Sequence, residues 1–252
     1  MILEFARATR IIRTLEHNSY PNSVYTTSRS FDNKSVFLLK DHIQRLLNGS
    51  LLANIPYTKE DDTIIKSLIK QHVTEYNRYT IYINAQYISV QFSQVKLPPP
   101  YVSVIVANGE RKYSNIKSSE WIEDRKKYEV LIKGETNEVV LEKDQQLYEG
   151  LSSNFYIVKN NTLYTAPLDK VLPGTIQKLV CKITPIIFDF PCLNEIQEWE
   201  SAFISSTSRL LLPIKTIYLL NGDKLELKIK SEFISNLMTK LENEIQSNSD
   251  ML

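Results

Sequence analysis

Three consecutive prolines, Pro98 to Pro100, divide this chain into two parts. Proline has no backbone N–H to donate to a neighbouring strand, so a run of three cannot continue a central strand and instead stiffens the chain. The 252 residues are enough for one large domain or two small ones. We therefore predict an N-terminal domain over residues 1–96, a proline linker over residues 97–100 and a C-terminal domain over residues 101–252.

Charge and cysteine content exclude several functional classes. The 30 basic and 29 acidic residues leave a net charge of +1 and form no block that would predict a nucleic-acid or membrane surface. No apolar run approaches the roughly 20 residues of a membrane span. Cys181 and Cys192 lack CxxC spacing, and the histidines do not cluster with them, so no metal site is expected.

Two cysteines in a chain of this size predict a reducing, cytoplasmic compartment rather than a disulfide scaffold. Residues 1–15 lack the continuous apolar core of a signal peptide. Glu4 and Glu16 argue mildly against an organelle-targeting segment, and that alternative stays open.

Hydrophobic periodicity predicts strands and helices in both parts. In the N-terminal part, the predicted elements are strands at 24–29 and 36–38, helices at 40–52 and from 58 onward, and a hairpin or strand pair at 79–92. In the C-terminal part, they are strands at 101–106, 136–141, 146–158, 202–205 and 212–219, and helices at 118–132, after Gly174, and at 233–245. Strands mixed with helices in both halves predict an α/β (α+β) fold of two domains.

One polar pattern in the N-terminal part is a candidate for anion binding. Tyr25-Thr-Thr-Ser-Arg29 is followed by a helix on which His42 and Arg45 lie three positions apart and therefore share a face. An arginine there can bind a phosphate bidentately. A solvated arginine beside a half-buried histidine is the alternative interpretation.

Three polar segments interrupt apolar regions of the C-terminal part. Glu149 and Asn154 lie in a strand region, where a carboxylate needs a partner such as a pyridinium N–H, unless the strand is an edge strand with a loop at Gly150. Residues 172–177 lead into a helix whose N-terminal N–H groups attract anions. Four hydroxyl residues at 205–208 follow a strand and can present O–H and N–H groups to a phosphate. Separately, the last two are equally typical of an ordinary helix start and a polar turn.

Taken together and in this order, these segments resemble the fold-type-IV family of pyridoxal-5′-phosphate (PLP) enzymes over nearly the whole chain. The counterparts of the family's motifs are YTTSR, LKDHIQRL, YEGLSSNFYIV, LPGTIQ and SSTSRLLLPI. The resemblance implies a small N-terminal α/β domain, a larger C-terminal α/β pseudo-barrel domain, PLP as cofactor and a homodimer. Within the family, the stretch YTTSRSFDNKSVFLLKDHIQRL is most similar to aminodeoxychorismate lyases.

The family's Schiff-base lysine follows a strand, begins a helix and precedes the glutamate. Lys117 fits, because it follows Asn115-Ile116, precedes Ser118-Ser119 and lies 149 − 117 = 32 positions before Glu149. The other lysines of this interval are Lys112, Lys126, Lys127 and Lys133.

The resemblance also implies a role for each matching residue. Lys117 would bind the cofactor covalently and act as the catalytic base, Glu149 would keep the pyridine nitrogen protonated, and Arg45 would bind the cofactor phosphate. Further cofactor contacts would be Ser153, Asn154, Leu172, Gly174, Thr175, Ile176, Ser206 and Thr207. The candidate substrate-binding residues are Tyr25, Thr27, Arg29 and Arg209.

Three activities are compatible with these residues. The first is a lyase that converts 4-amino-4-deoxychorismate to 4-aminobenzoate and pyruvate, a step of folate biosynthesis. The second is a branched-chain or D-amino-acid aminotransferase, although Gln86 or Tyr87 aligns where D-amino-acid enzymes carry an arginine, with Arg78 as a substitute. The third is a PLP-binding relative without turnover, which Gln177 in place of the family's arginine and the Ser-Ser-Thr-Ser-Arg turn would favour.

Overall fold

The computed structural model describes residues 1–17, 19–229 and 231–252. The chain forms two compact units. Unit 1 consists of residues 1–96, 116–123 and 245–252, and unit 2 of residues 97–115 and 124–244. None of the described helices has the length and apolar character needed to span a membrane.

Runs of strands are separated by helices along the chain. The strands are β1 (Ile2–Ala6), β2 (Ile11–Leu15), β3 (Val24–Arg29), β4 (Ser35–Phe37), β5 (Arg78–Ile83), β6 (Tyr87–Ser93), β7 (Val102–Asn108), β8 (Thr136–Lys143), β9 (Gln146–Gly150), β10 (Asn154–Lys159), β11 (Thr162–Thr165), β12 (Ile186–Phe188), β13 (Ser201–Ser206), β14 (Leu210–Tyr218), β15 (Lys224–Glu226) and β16 (Ser249–Met251). The helices are α1 (Leu39–Leu52), α2 (Lys59–Lys70), α3 (Glu120–Asp124), α4 (Lys126–Glu129), α5 (Thr175–Ile183) and α6 (Glu232–Ser247), with a 3-10 helix at Leu193–Glu198.

Unit 1 is built on a seven-stranded sheet in the order β16-β4-β3-β5-β6-β1-β2. One face of this sheet and the apolar stripes of α1 and α2 form a single core. On α2, Ile65, Leu68 and Ile69 are completely buried, as their helical spacing predicts. The predicted start of this helix is also confirmed, because the backbone N–H of Thr58 donates to the side chain of Asp61 at 2.8 Å.

The sheet of unit 2 closes on itself. Its nine strands run in the order β12-β11-β10-β13-β14-β7-β8-β9, with β15 paired to β14, and β9 pairs in addition with β10. The six strands β7, β8, β9, β10, β13 and β14 therefore form a closed, barrel-like ring, which confirms the predicted pseudo-barrel. Apolar side chains from these strands fill its core.

Two segments depart from the predicted division at the proline run. Residues 116–123 and 245–252 belong to unit 1, although the C-terminal domain was expected to span 101–252. The reason is backbone pairing, since Ser118 forms a bridge with Val24 and β16 pairs with β4. The boundary at Lys96 and Leu97 coincides with the start of the proline linker.

The predicted continuous helix at 118–132 is wrong. Two short helices, α3 and α4, are separated at Arg125, and Ile132 is exposed rather than packed on the buried side. Only Trp121 and Tyr128 of this stretch are deeply buried. The apolar spacing that suggested one long helix is therefore shared by two short helices, of which α3 buries Trp121 and α4 buries Tyr128. Strands β1 and β2 were not predicted.

Leu68 allows a test of the unit 1 core. We expect Leu68→Ala to lower the free energy of unfolding by about 2–5 kcal/mol, because it leaves a cavity between α2 and the sheet. The matched control is Leu51→Ala on α1, whose side chain is exposed, and which should change stability by less than about 0.5 kcal/mol. Urea denaturation of the two variants measures both values, and equal losses would contradict this packing.

Candidate active site

Lys117 is held by its backbone against the first residues of β3. The Tyr25 N–H donates to the Lys117 carbonyl at 2.8 Å, and the Ser119 N–H donates to the Ser23 carbonyl at 2.8 Å. Lys117 lies three positions before the start of α3, near the predicted helix start. It follows a turn rather than a strand, because β7 already ends at Asn108. Two backbone hydrogen bonds therefore fix where the lysine side chain leaves the chain.

The ammonium group of Lys117 lies over an aromatic ring. Its Nζ is 4.7 Å from the ring centroid of Tyr25, a distance at which a cation and an aromatic face attract each other. Tyr25 stacks on Tyr82 with 5.5 Å between ring centroids, and Tyr82 stacks on Tyr20 at 5.2 Å. The Tyr20 hydroxyl donates to the buried carboxylate of Glu4 at 3.1 Å. This row of rings holds Tyr25, and with it the lysine, in one position.

Three of the predicted substrate-binding residues share the sheet face on which Lys117 lies. In the β3–β5 register, Tyr25, Thr27 and Arg29 stand opposite Tyr82, Thr80 and Arg78, respectively. Alternate residues of a strand point to the same side, so the six side chains form two columns on one face. The two threonine hydroxyls are 3.3 Å apart. Burial lowers the pKa of the Arg29 guanidinium, which lies 4.2 Å from the ring centroid of Phe31.

Arg45 approaches β3 from the opposite side. Thr26 points away from the Tyr25 face, and its hydroxyl oxygen accepts a hydrogen bond from Arg45 Nη2 at 2.5 Å. The same hydroxyl lies 2.7 Å from Nδ1 of His42, which is completely buried. The alternative interpretation of a half-buried histidine is therefore wrong. His42 is part of the packing that holds Arg45 on the sheet.

In unit 2, Glu149 and Asn154 face each other where β9 meets β10. Both side chains are buried, and both hold the backbone of Leu172. The Leu172 N–H donates to Glu149 Oε2 at 3.3 Å, and Asn154 Nδ2 donates to the Leu172 carbonyl at 2.8 Å. The edge-strand alternative for Glu149 does not hold, because β9 is paired on both sides.

Gly174 lies where no other residue fits without a shift. A Cβ added there would be 2.1 Å from Asn154 Oδ1, well inside contact distance. The Gly174 N–H donates to Gln177 Oε1 at 3.3 Å. Gln177, which stands where the family carries an arginine, thus stabilises the first turn of α5. The close approach of Gly174 to Asn154 brings the start of α5 next to Glu149.

Two hydroxyl groups meet at the start of α5. Thr175 Oγ1 lies 3.1 Å from Thr207 Oγ1, and both residues are buried, as is Ile176. The N-terminus of a helix carries N–H groups and a partial positive charge, both of which favour an anion. The turn that carries Ser206 and Thr207 therefore contacts the start of α5, and the sequence had indicated each of the two as a separate candidate for anion binding.

Arg209, a predicted substrate-binding residue, takes part in an ion pair. Its Nη2 donates to Oε2 of the buried Glu138 on β8 at 2.5 Å and to Ser152 Oγ at 2.7 Å. Ser152 and Ser153 donate to the same Oε2 at 2.9 and 3.1 Å. Sequence reasoning missed Glu138, although a carboxylate in the apolar run TNEVVLEK is the same signal that identified Glu149.

Comparison with known proteins decides the family. The family model for class IV aminotransferases matches residues 23–217. The chain belongs to this family. Its members depend on PLP, so the protein is a PLP-dependent enzyme that acts on a small molecule.

The similar proteins include both aminotransferases and a putative lyase. D-alanine aminotransferase of Staphylococcus epidermidis is 24% identical over 262 residues, which cover 91% of this chain and 90% of that protein. Among solved structures, the branched-chain aminotransferase of Thermoproteus uzoniensis has a TM-score of 0.77 at 17% identity, covering 99% of this chain and 98% of that chain. A putative 4-amino-4-deoxychorismate lyase of Legionella pneumophila has a TM-score of 0.73 at 16% identity, covering 91% and 96%. At these identities the structures show the fold.

The residues present fit PLP in each unit taken by itself. Unit 2 offers a buried carboxylate for a ring nitrogen, and hydroxyls with a helix N-terminus for a phosphate. The space beside Gly174 and Asn154 would be filled by the Cβ of any other residue at position 174. Unit 1 offers a half-buried lysine in a fixed position. Among the described residues, no group of acidic, histidine or cysteine side chains is arranged to hold a metal ion.

Gly174 provides a test of this arrangement. We expect Gly174→Ala to weaken PLP binding about tenfold, because the new methyl group displaces Asn154 and breaks its buried hydrogen bond to Leu172. The control is Gly134→Ala, where no atom lies within 4 Å of the added Cβ and only the positive φ of 58° is strained. Titration of apoprotein with PLP measures both. Unchanged affinity in folded Gly174→Ala protein would contradict the cofactor role of this turn.

Proposed function

We propose that the protein is a lyase that converts 4-amino-4-deoxychorismate to 4-aminobenzoate and pyruvate, with Lys117 as its catalytic residue. The observation that carries the proposal is the position of Lys117 Nζ over the Tyr25 ring, on the sheet face that also holds Thr27 and Arg29. A lysine held beside candidate substrate-binding groups can act both on the cofactor and on the substrate.

Lys117 has two successive tasks in this proposal. Its Nζ would first hold the cofactor and would then give way to the amine of the substrate. Once released, the neutral Nζ removes the proton from the substrate carbon that bears the amine, as a general base. The Tyr25 ring limits how far the amine can move between these tasks.

Glu149 and its neighbours set the electronic state of the cofactor. PLP, when bound, would supply a protonated pyridine ring that takes up the electron pair left by the removed proton and returns it as the C–O bond to the pyruvate group breaks. Glu149 would hold that ring proton, since a carboxylate next to a pyridinium is favoured in its ionised form. Leu172 would pack on a face of the ring, and Ser153 and Asn154 would complete its surroundings.

The cofactor phosphate would bind at the start of α5. The contacting groups would be the N–H groups of Thr175 and Ile176, which follow the turn at Gly174, and the hydroxyls of Ser206 and Thr207. The family resemblance implies Arg45 as a further, charged phosphate donor. Arg45 Nη2 donates to the Thr26 hydroxyl, which fixes where the guanidinium lies within unit 1.

The lyase is favoured over transamination by the N-terminal block. The stretch from Tyr25 to Leu46 resembles aminodeoxychorismate lyases, and its face of tyrosine and threonine hydroxyls suits a polar, ring-bearing substrate. The Legionella structure shares this fold. Arg29 is the preferred carboxylate-binding candidate, because it lies on the same sheet face as Lys117.

A D-amino-acid aminotransferase is the second candidate. Its support is the alignment with D-alanine aminotransferase of Staphylococcus epidermidis over 91% of the chain. Such an enzyme would use the same cofactor residues and would differ in the groups that bind the substrate carboxylate. A branched-chain aminotransferase is supported by fold likeness alone.

Product analysis separates these candidates. We expect purified protein to release 4-aminobenzoate and pyruvate from 4-amino-4-deoxychorismate without any amino acceptor, and Lys117→Ala to lower the rate by about 10²-fold or more. Lys127→Ala is the matched control, because Lys127 Nζ also lies over a tyrosine ring, 4.8 Å from that of Tyr128, but outside the proposed site.

Formation of pyruvate from D-alanine with 2-oxoglutarate, without release of 4-aminobenzoate, would replace the lyase by the second candidate. Loss of activity in Lys127→Ala but not in Lys117→Ala would overturn the choice of lysine. The homodimer and the cytoplasmic location expected from the sequence remain proposals, and a mass measurement in solution tests the first.

A further inference from the structure

A buried carboxylate outside the predicted site joins two of its loops. Glu138 is 2% exposed, and its Oε2 accepts hydrogen bonds from Ser152, Ser153 and Arg209, while Oε1 accepts one from the Val139 N–H at 3.2 Å. We call Glu138, Ser152, Ser153 and Arg209 the Glu138 cluster. All four residues lie in unit 2.

The cluster contains an ion pair, between the Glu138 carboxylate and the Arg209 guanidinium, and therefore differs from apolar core packing. A buried carboxylate is costly unless donors surround it, and here two hydroxyls and one guanidinium do so. The guanidinium also donates to Ser152, so Arg209 binds Glu138 both directly and through that hydroxyl. Removing Arg209 would leave the Glu138 carboxylate buried without its counterion.

The first loop held by Glu138 connects Glu149 to Asn154. Ser152 and Ser153 lie between these two residues, and the Gly150 N–H donates to the Ser153 carbonyl at 2.8 Å to close the turn. A Cβ at Gly150 would lie 2.3 Å from Ser153 Oγ and 3.1 Å from Glu138 Cγ. The carboxylate thus packs directly against the turn that sets the spacing of Glu149 and Asn154.

The second loop is the hydroxyl turn. The Arg209 N–H donates to the Ser206 carbonyl at 3.2 Å, and its Nε donates to Ser206 Oγ at 3.4 Å. Thr207, the next residue, meets Thr175 at the start of α5. Arg209 therefore links the turn that carries Ser206 and Thr207 to the carboxylate that holds the Glu149 loop.

We infer that Glu138 and Arg209 are positioning residues that hold the ring-nitrogen side and the phosphate side of the PLP site at a fixed separation. The inference rests on the cofactor roles proposed above for Glu149, Ser206 and Thr207. It also assigns Arg209 to the cofactor site rather than to the substrate.

The test is PLP affinity in the full-length protein, measured well below the melting temperature of each variant. Arg209→Met and Glu138→Gln should each weaken PLP binding about tenfold and alter the visible circular dichroism of the bound cofactor. Arg209→Lys, which keeps the charge but loses the forked donor, should recover part of the affinity. The double variant should bind no more weakly than the worse single variant, because the two residues act as one unit.

Lys159→Met is the matched control. Lys159 is as exposed as Arg209 (19% against 20% for the side chains) and is paired with Glu195 and Glu198 in the same unit. It lies at the far end of β10 from Asn154, about 17 Å away along the strand. This variant should bind PLP as the wild type does, even if its melting temperature falls.

Two results would overturn the inference. Equal PLP affinity in wild type and in folded Arg209→Met and Glu138→Gln would show a structural role only, as would an equal loss in Lys159→Met. If Glu138→Gln does not fold, Arg209→Lys and Ser152→Ala carry the same comparison. Absence of PLP binding by the wild type would instead refute the proposed cofactor site, so the two failures are distinguishable.

Discussion

The pairing of β9 with β10 at Glu149 and Asn154 is the contact on which the unit 2 site depends. It closes the ring of six strands, and it buries a carboxylate and an amide side by side where the ring closes. Both side chains then bind the Leu172 backbone, which leads through Gly174 into α5. Because a buried carboxylate is tolerated only with suitable partners, the geometry of the ring and the chemistry of the site are coupled.

A second constraint operates in unit 1, where backbone hydrogen bonds fix Lys117 on β3. The lysine comes from a segment distant in sequence from that strand, and two main-chain hydrogen bonds hold it there. The Tyr25–Tyr82–Tyr20 stack then restricts its side chain. A catalytic lysine benefits from such a placement, because a base held close to the carbon it deprotonates loses little freedom on reaction.

The sequence predicted the elements whose pattern is local. The stripe of α2, its start at Thr58 and the hairpin of β5 and β6 were all recognisable from spacing, and so was the helix start after Gly174. The sequence did not predict the elements whose limits are set by tertiary contacts. The two-part helix around Arg125 looked continuous because Trp121 and Tyr128 share a helical spacing, and the pairing of residues 116–123 with β3 leaves no local signal.

The residues of the site divide in the same way. Glu149 was predicted because a carboxylate is conspicuous in an apolar strand, and Glu138 was overlooked although it has the same signature. Arg209 was a candidate substrate-binding residue, and its partner Glu138, which the sequence did not suggest, lies 71 residues away. Such a pairing depends on the closed ring of strands, which spacing along the chain does not reveal.

The most direct test of the account is to locate the lysine that binds PLP. Borohydride reduction of the PLP-loaded protein makes the lysine–cofactor bond permanent, and mass spectrometry of its proteolytic peptides identifies the modified residue. The account predicts a single modified residue, Lys117. Modification of Lys112, Lys126, Lys127 or Lys133 instead, or of no lysine in this interval, would contradict it.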